Sequence, residues 1–399
     1  MSIPQNWQLR LMPTGQFDTT TLRQALTQKK PSIQSSVTSN KNAANKDWPE
    51  LSNRPTIWDD FDLPNLKESY GHILDLEVPA YQIQVPIADL ELAGVVIDKP
   101  SDVKRLVAWN DDVMKPTLDL AKSYLGLHPG IALRHARSDA EKTTLARVTM
   151  PGKGQSLAVD HKIELDDFPA ANLVVGFSRP SSKWNSKAFA DTLETLTKEA
   201  LWPLRQLANA CKYSKTRYGY IQTEEELVVC CFSGDGDDLK AAIKPIPWSR
   251  HGPHSLTTDL ALWWLCMLAM ADPNRRVITS ESETIRINAW ERIFIDEERG
   301  SILRHRYSRF EKPTTPPPLP AYHTPSRGNA AAFEAATGLQ ANGWPVEETV
   351  ANVSPADPSE PNADMFLLSD AMVIEFPTFL AGSGEYLADA GEDAARDNQ

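Results

Sequence analysis

Apolar and polar positions change period several times between residues 101 and 310, and outside that window they keep no sustained period. "SDVKRLVAWNDDVMKPTLDLAKSYL" sets Leu106, Trp109, Val113, Thr117, Ala121 and Tyr124 at helical spacing, with Ser101 as the cap and Pro116 expected to kink the helix. Three strand patterns follow: "LARVT" over 145–149, "SLAVDHKIE" over 156–164 behind the turn "PGKGQ", and "NLVVGF" over 172–177. Their spacing predicts an antiparallel meander. In the last of them Leu173, Val175 and Phe177 take one side while Val174 and Gly176 are also apolar or small, which suits an interior strand covered on both faces. A helical stretch then runs from about 186 to 212, broken at Trp202-Pro203. "YGYIQ" over 218–222 pairs with "ELVVCCF" over 226–232 across a short polar turn. "LALWWLCMLAM" over 260–270 is apolar all round and reads as a buried helix, far too short to span a bilayer. "ETIRINAWERIFI" and "GSILRHRYSRF" read as a closing hairpin around "DEERG". The order helix, three strands, helix, strand predicts an α+β fold, an α/β sandwich with helices over a central sheet.

Composition sets the boundaries of that domain. Residues 1–53 are rich in Ser, Thr, Asn, Gln and Lys and read as a disordered arm, with 54–100 an extended lead-in packing on the core. "KPTTPPPLP", Lys312–Pro320, reads as a stiff linker or an SH3 or WW ligand. The rest of 311–399 reads as an acidic, disordered tail. The net charge of −12 belongs mostly to that tail: residues 311–399 carry 14 acids against 3 bases, whereas 101–310 carry 27 acids against 29 bases. A nearly neutral core lacks the broad basic face expected of a duplex-DNA binder, although a local groove is compatible with it. Nucleic acid and a protein partner, through the Pro-rich segment or the tail, both stay open as ligands, and no membrane association is expected.

Cys211, Cys230, Cys231 and Cys266 form no CxxC pair, and no His falls at metal-ligand spacing from them. Cys230 and Cys231 would point to opposite faces of a strand as packed thiols. Reduced cysteines and the lack of a secretory signal pattern at the first residues predict an intracellular protein, nuclear or cytoplasmic. "LRHARSD" carries an HRD-like string, but a glycine-rich phosphate loop, a strand lysine and DFG are all missing, so a kinase is excluded. Ser-His-Asp hydrolysis also lacks support, since no G-x-S-x-G elbow occurs.

Several strings in this order, "AWNDDV" (108–113), "VDHKI" (159–163), "VVGFSRPSSKW" (174–184), "PLRQLANACKYSKTRYGYIQTEEELVV" (203–229) and "IPWSRHGPHSLTTDLALWWLCMLA" (246–269), resemble a group of uncharacterised fungal proteins. The core of that group is similar to the PD-(D/E)XK nuclease, or restriction-endonuclease-like, superfamily. The resemblance spans roughly 100–310 and implies an αβββαβ core with helical and hairpin additions. In active members an acid on the second strand and an acid-X-Lys on the third hold a divalent cation that activates water, often with an acid from the first helix. Mg2+ takes hard oxygen ligands, so the chemistry needs carboxylates there. By this resemblance Asp160 is the second-strand acid and Asp111 the helix acid. The third-strand motif falls on Phe177-Ser178-Arg179, where a phenyl ring cannot ligate Mg2+ and a guanidinium is no equivalent of lysine.

Lys183 is then a candidate displaced lysine, and Gln206 matches a helix glutamine that touches the site in some nuclease-like families. Without the resemblance, Asp160 reads as a strand-end acid paired with Lys162, Arg179 or Lys183, Asp111 as a solvated helix residue, Lys183 as a surface cation, and Gln206 as solvated or bonded to backbone. Two functions follow from the resemblance. One is a catalytically degenerate domain that binds nucleic acid or protein and needs no cofactor. The other is an active Mg2+-dependent nuclease with a substitute ligand such as Glu164 or Asp166.

Overall fold

The computed structural model describes residues 18–314, except 39–41, 43, 53, 128–129, 140–145, 151–154, 167–169, 191–195, 235–237, 272–276, 280–285 and 297–299. Its centre is a mixed sheet of seven strands: β1 (Thr56–Ile57), β2 (Ala132–Arg137), β3 (His161–Asp166), β4 (Ala171–Ser178), β5 (Tyr218–Gln222), β6 (Glu226–Ser233) and β7 (Lys240–Pro247), in the spatial order β1-β7-β6-β5-β4-β3-β2. Pairs β2–β3, β3–β4, β5–β6 and β6–β7 are antiparallel, whereas β4–β5 and β7–β1 are parallel. The parallel β4–β5 pair needs a crossover, and helix α2 (Lys198–Ser214) supplies it.

Each face of the sheet has its own apolar cluster. Ile163, Leu165, Val174, Tyr220, Val229 and Cys231 pack with helix α1 (Lys104–Ala121) and helix α3 (Thr258–Ala271). Val175, Phe177, Ile221, Val228, Cys230 and Phe232 pack with α2 on the opposite face. The α+β class is therefore as the periodicity predicts, the adjacent cysteines do divide between faces, and all four thiols are buried and free. Leu260 to Met270 are buried without exception, because α3 sits between the sheet and the surrounding helices. Among the described residues no helix is long and apolar enough to cross a membrane.

Several elements differ from the sequence expectation. The first strand of the meander is Ala132–Arg137. The 146–150 pattern instead pairs with Gln155–Val159 as a separate two-stranded hairpin. The expected 156–164 strand breaks at Asp160, whose backbone N–H donates to Gly176 O at 3.0 Å and whose carbonyl accepts from Ser138 N at 2.8 Å. A register shift between Asn172 and Val174 sends Leu173 and Val174 to the same cluster, so Leu173 does not share a side with Val175 and Phe177. Helix α2 is continuous through Pro203, where a break was expected, and α1 is continuous through Pro116. The closing hairpin forms between Trp290–Asp296 and Gly300–His305, and Glu311–Pro313 adds a third strand where a linker was expected to begin.

The amino-terminal arm needs the largest correction. Thr21 caps Leu22–Leu26 in a reciprocal capping box, and Leu22, Leu26 and Lys30 are buried. Residues 54–100 are not merely extended: Asp62 caps a helix over Leu63–Leu74 by accepting from Asn65 N at 2.9 Å. Leu22, Leu26, Trp58, Phe61, Leu66 and Tyr70 join the same core cluster as α1 and α3, and the polar residues between them hid that pattern. Residues 315–399, with most of the Pro-rich run and the acidic tail, lie outside the described residues.

Candidate functional site

Two groups of polar side chains lie at β3 and β4. The first opens into a cleft of about 360 Å³ whose lining includes Lys104, Asp160, Ser178, Arg179 and Lys183. Lys104 begins α1, Asp160 sits at the strand break, and Ser178 ends β4. One Asp160 oxygen accepts both the backbone N–H of Ser178 at 2.8 Å and its hydroxyl at 2.9 Å, while Lys104 Nζ lies 3.4 Å from the other. The expected partners Lys162, Arg179 and Lys183 are not the ones it takes: Lys162 pairs with Glu164 at 2.7 Å. Asp160 is the only carboxylate among the described residues lining the cleft.

Arg179 is fixed from three sides. Its guanidinium donates to Ser178 O at 2.7 Å and to Gln206 Oε1, and it stands 5.5 Å from the Phe177 ring centre. Burial pulls its pKa below the ordinary value and Asp160 pushes it back, so the group stays a cation. Gln206 Oε1 thus accepts from a side chain of the cleft. Phe177 itself is 4 % exposed, and its ring packs in the cluster under α2.

The loop that follows, "SRPSSKW", is clamped. Ser181 donates through its amide (2.9 Å) and hydroxyl (2.7 Å) to Glu224, and Ser186 does the same to Glu226 at 2.6 and 2.7 Å. Trp184 Nε1 donates to Ala200 O at 2.9 Å, and Asn42 Nδ2 donates to Lys183 O at 3.0 Å. These bonds display the Lys183 side chain in the cleft on a fixed backbone.

The second group is enclosed. Asp111 is 1 % exposed, which excludes the solvated-helix reading. Its carboxylate lies 2.9 Å from His135 Nδ1, 3.2 Å from His161 Nε2 and 2.8 Å from Lys115 Nζ. Burial alone would raise this carboxyl, but the two imidazoles and Lys115 outweigh it and hold the group well below the usual carboxylate range. Burial lowers the His161 pKa, against the upward pull of Asp111. Its Nδ1 lies 2.7 Å from the Tyr220 hydroxyl. Asp111 and Asp160 take different direct partners: Asp111 the two imidazoles and Lys115, Asp160 Ser178 and Lys104. No family model, curated protein or solved structure matches this chain.

Sequence reasoning missed both histidines. His135 lies on the unassigned strand "ALRHAR", where the alternation Leu133, His135 against Arg134, Ala136 was the available signal. The other available signal is Gly176. A Cβ there would meet the Tyr220 ring at 2.3 Å, so the glycine makes the space that lets Tyr220 reach His161. Gly176→Ala is expected to destabilise the protein by about 1–3 kcal/mol through overpacking, read as a lower urea midpoint.

Proposed function

We propose that the domain is a catalytically degenerate PD-(D/E)XK-like module whose cleft binds the phosphodiester backbone of nucleic acid. The reading is supported by the order α1, β2, β3, β4, α2, β5, with β4 and β5 parallel across α2, which is the αβββαβ arrangement implied by the resemblance. The observation that carries it is the charge of the cleft: Lys104, Arg179 and Lys183 surround one carboxylate whose oxygens are already engaged. Such a set fits an anion. It is a poor fit to Mg2+, whose charge three neighbouring cations oppose while the one carboxylate is already engaged. Phe177 is committed to the core, and the substitute acids of the nuclease alternative are engaged elsewhere, Glu164 with Lys162 and Asp166 with Arg134. No cofactor is assigned to this cleft.

Fluorescence anisotropy with labelled single- and double-stranded DNA and RNA, repeated over a salt series, tests this directly. Lys104→Glu with Lys183→Glu should weaken binding uniformly across sequences and reduce the salt slope by about 2, roughly one per lost phosphate contact. An unchanged affinity, or no saturable binding at low salt, would sink the proposal. Cleavage in Mg2+ that disappears in Asp160→Ala would replace it with the active nuclease.

A further inference from the structure

We infer that Asp111, His135 and His161 form a binding site for a single Zn2+ ion, outside the lining of the cleft. The three ligand atoms lie within 4.8 Å of one another. Tetrahedral zinc, with bonds of roughly 2.0–2.1 Å, spaces its ligand atoms about 3.4 Å apart. The present separations of 2.9 Å and 3.2 Å from Asp111 Oδ1 to the two ring nitrogens need to open by only a few tenths of an ångström.

The surroundings carry the argument further than proximity does. His135 is a buried imidazole, its side chain 2 % exposed; its Nδ1 lies 2.9 Å from the Asp111 carboxylate but outside hydrogen-bond geometry, and its Nε2 has no partner. A ring nitrogen that faces a carboxylate in poor hydrogen-bond geometry is poorly satisfied, and a metal bond at Nδ1 would satisfy it. An outer support of a metal centre is also present: Tyr220 OH stands 2.7 Å from His161 Nδ1. A tyrosine hydroxyl both donates and accepts. Metal at Nε2 therefore requires only that His161 carry its proton on Nδ1 and donate it to Tyr220, with no proton leaving the site. Two imidazoles and one carboxylate suit Zn2+ over Mg2+, and a water would complete the tetrahedron. Lys115, half exposed, and Arg137, 3.8 Å from Asp111, oppose the ion's charge. Their side chains can turn to solvent as it binds.

The test is calorimetric titration of chelator-treated full-length protein with Zn2+, paired with visible absorption of a Co2+-loaded sample. The expected result is one equivalent bound, a Co2+ spectrum of low coordination number, and no response to Mg2+. Tyr220→Phe should weaken Zn2+ by about 10- to 100-fold through loss of the outer support. His135→Leu should abolish binding, with circular dichroism and the urea midpoint recorded beside it to check that the variant is folded. That variant separates the readings: in a purely structural cluster there is no saturable metal signal for it to move. Absence of saturable Zn2+ binding, or binding of the same affinity in His135→Leu, would overturn the inference.

Discussion

Lys30→Met is expected to lower the unfolding free energy by about 3–5 kcal/mol in urea denaturation, the cost of leaving one member of a buried ion pair alone. Lys30 Nζ lies 2.8 Å from Asp259 Oδ1, with side chains 0 % and 1 % exposed. The ammonium also donates to Thr258 and stands 4.1 Å from the Trp248 ring centre. Trp109 Nε1 reaches the same Asp259 oxygen at 3.2 Å, while the second oxygen has no partner. Burial lowers the Lys30 pKa, and Asp259 pulls it back up. With the lysine removed, the carboxylate is left uncompensated between α1 and α3. The double variant Lys30→Met with Asp259→Leu should recover much of the loss, since apolar replacement of both partners removes the desolvation cost as well. A double variant as unstable as the single one would show that the segment's packing, not the charge pair, carries the effect.

Acidification from pH 6.5 to pH 4 should cost up to about 3 kcal/mol through His305 alone. This imidazole is fully buried, packed among Tyr70, Trp290 and Tyr307, and its Nδ1 accepts the Ser308 amide at 3.1 Å. Burial pushes its pKa down to about 4 from an ordinary value near 6.5. Between those two values the unfolded chain holds a proton that the folded chain refuses. The contribution is complete above pH 6.5, declines as pH falls, and is gone below pH 4. Carboxylates titrate in the lower part of the same window, so the measurement is the difference between wild type and His305→Asn, whose pH profile should be flatter. Parallel profiles would remove His305 as the cause.

The sheet interior and α3 were legible because continuous burial on both faces writes itself as unbroken apolar runs, as in Val228 to Phe232 and Leu260 to Met270. Pairing partners were less legible. A strand such as Ala132–Arg137, at one edge and covered on one side, alternates over six residues only, and Arg134 and Arg137 disguise it. In the cleft, Asp160 and Arg179 stood out by chemical type, but which neighbours they choose depends on the break at residue 160, a tertiary event with no local pattern. The Asp111 group was invisible as a constellation because its members are separated by 24 and 26 positions and meet only when α1 lies across β2 and β3. The amino-terminal segment was misjudged for a related reason. Its anchor, Lys30, is a residue that composition reads as solvated.

That anchor also sets a clock on biosynthesis. Lys30 and Thr258 are 228 positions apart, and Thr257 bonds Leu26 O across a similar interval. At translation rates of roughly 5–20 residues per second, Leu22, Leu26 and Lys30 emerge roughly 10–45 s before the helix that buries them. During that interval their apolar side chains are available to chaperones and to neighbouring nascent chains. Final closure of the amino-terminal segment is then a late, post-synthetic step whose rate is governed by long-range loop closure, not by local helix formation.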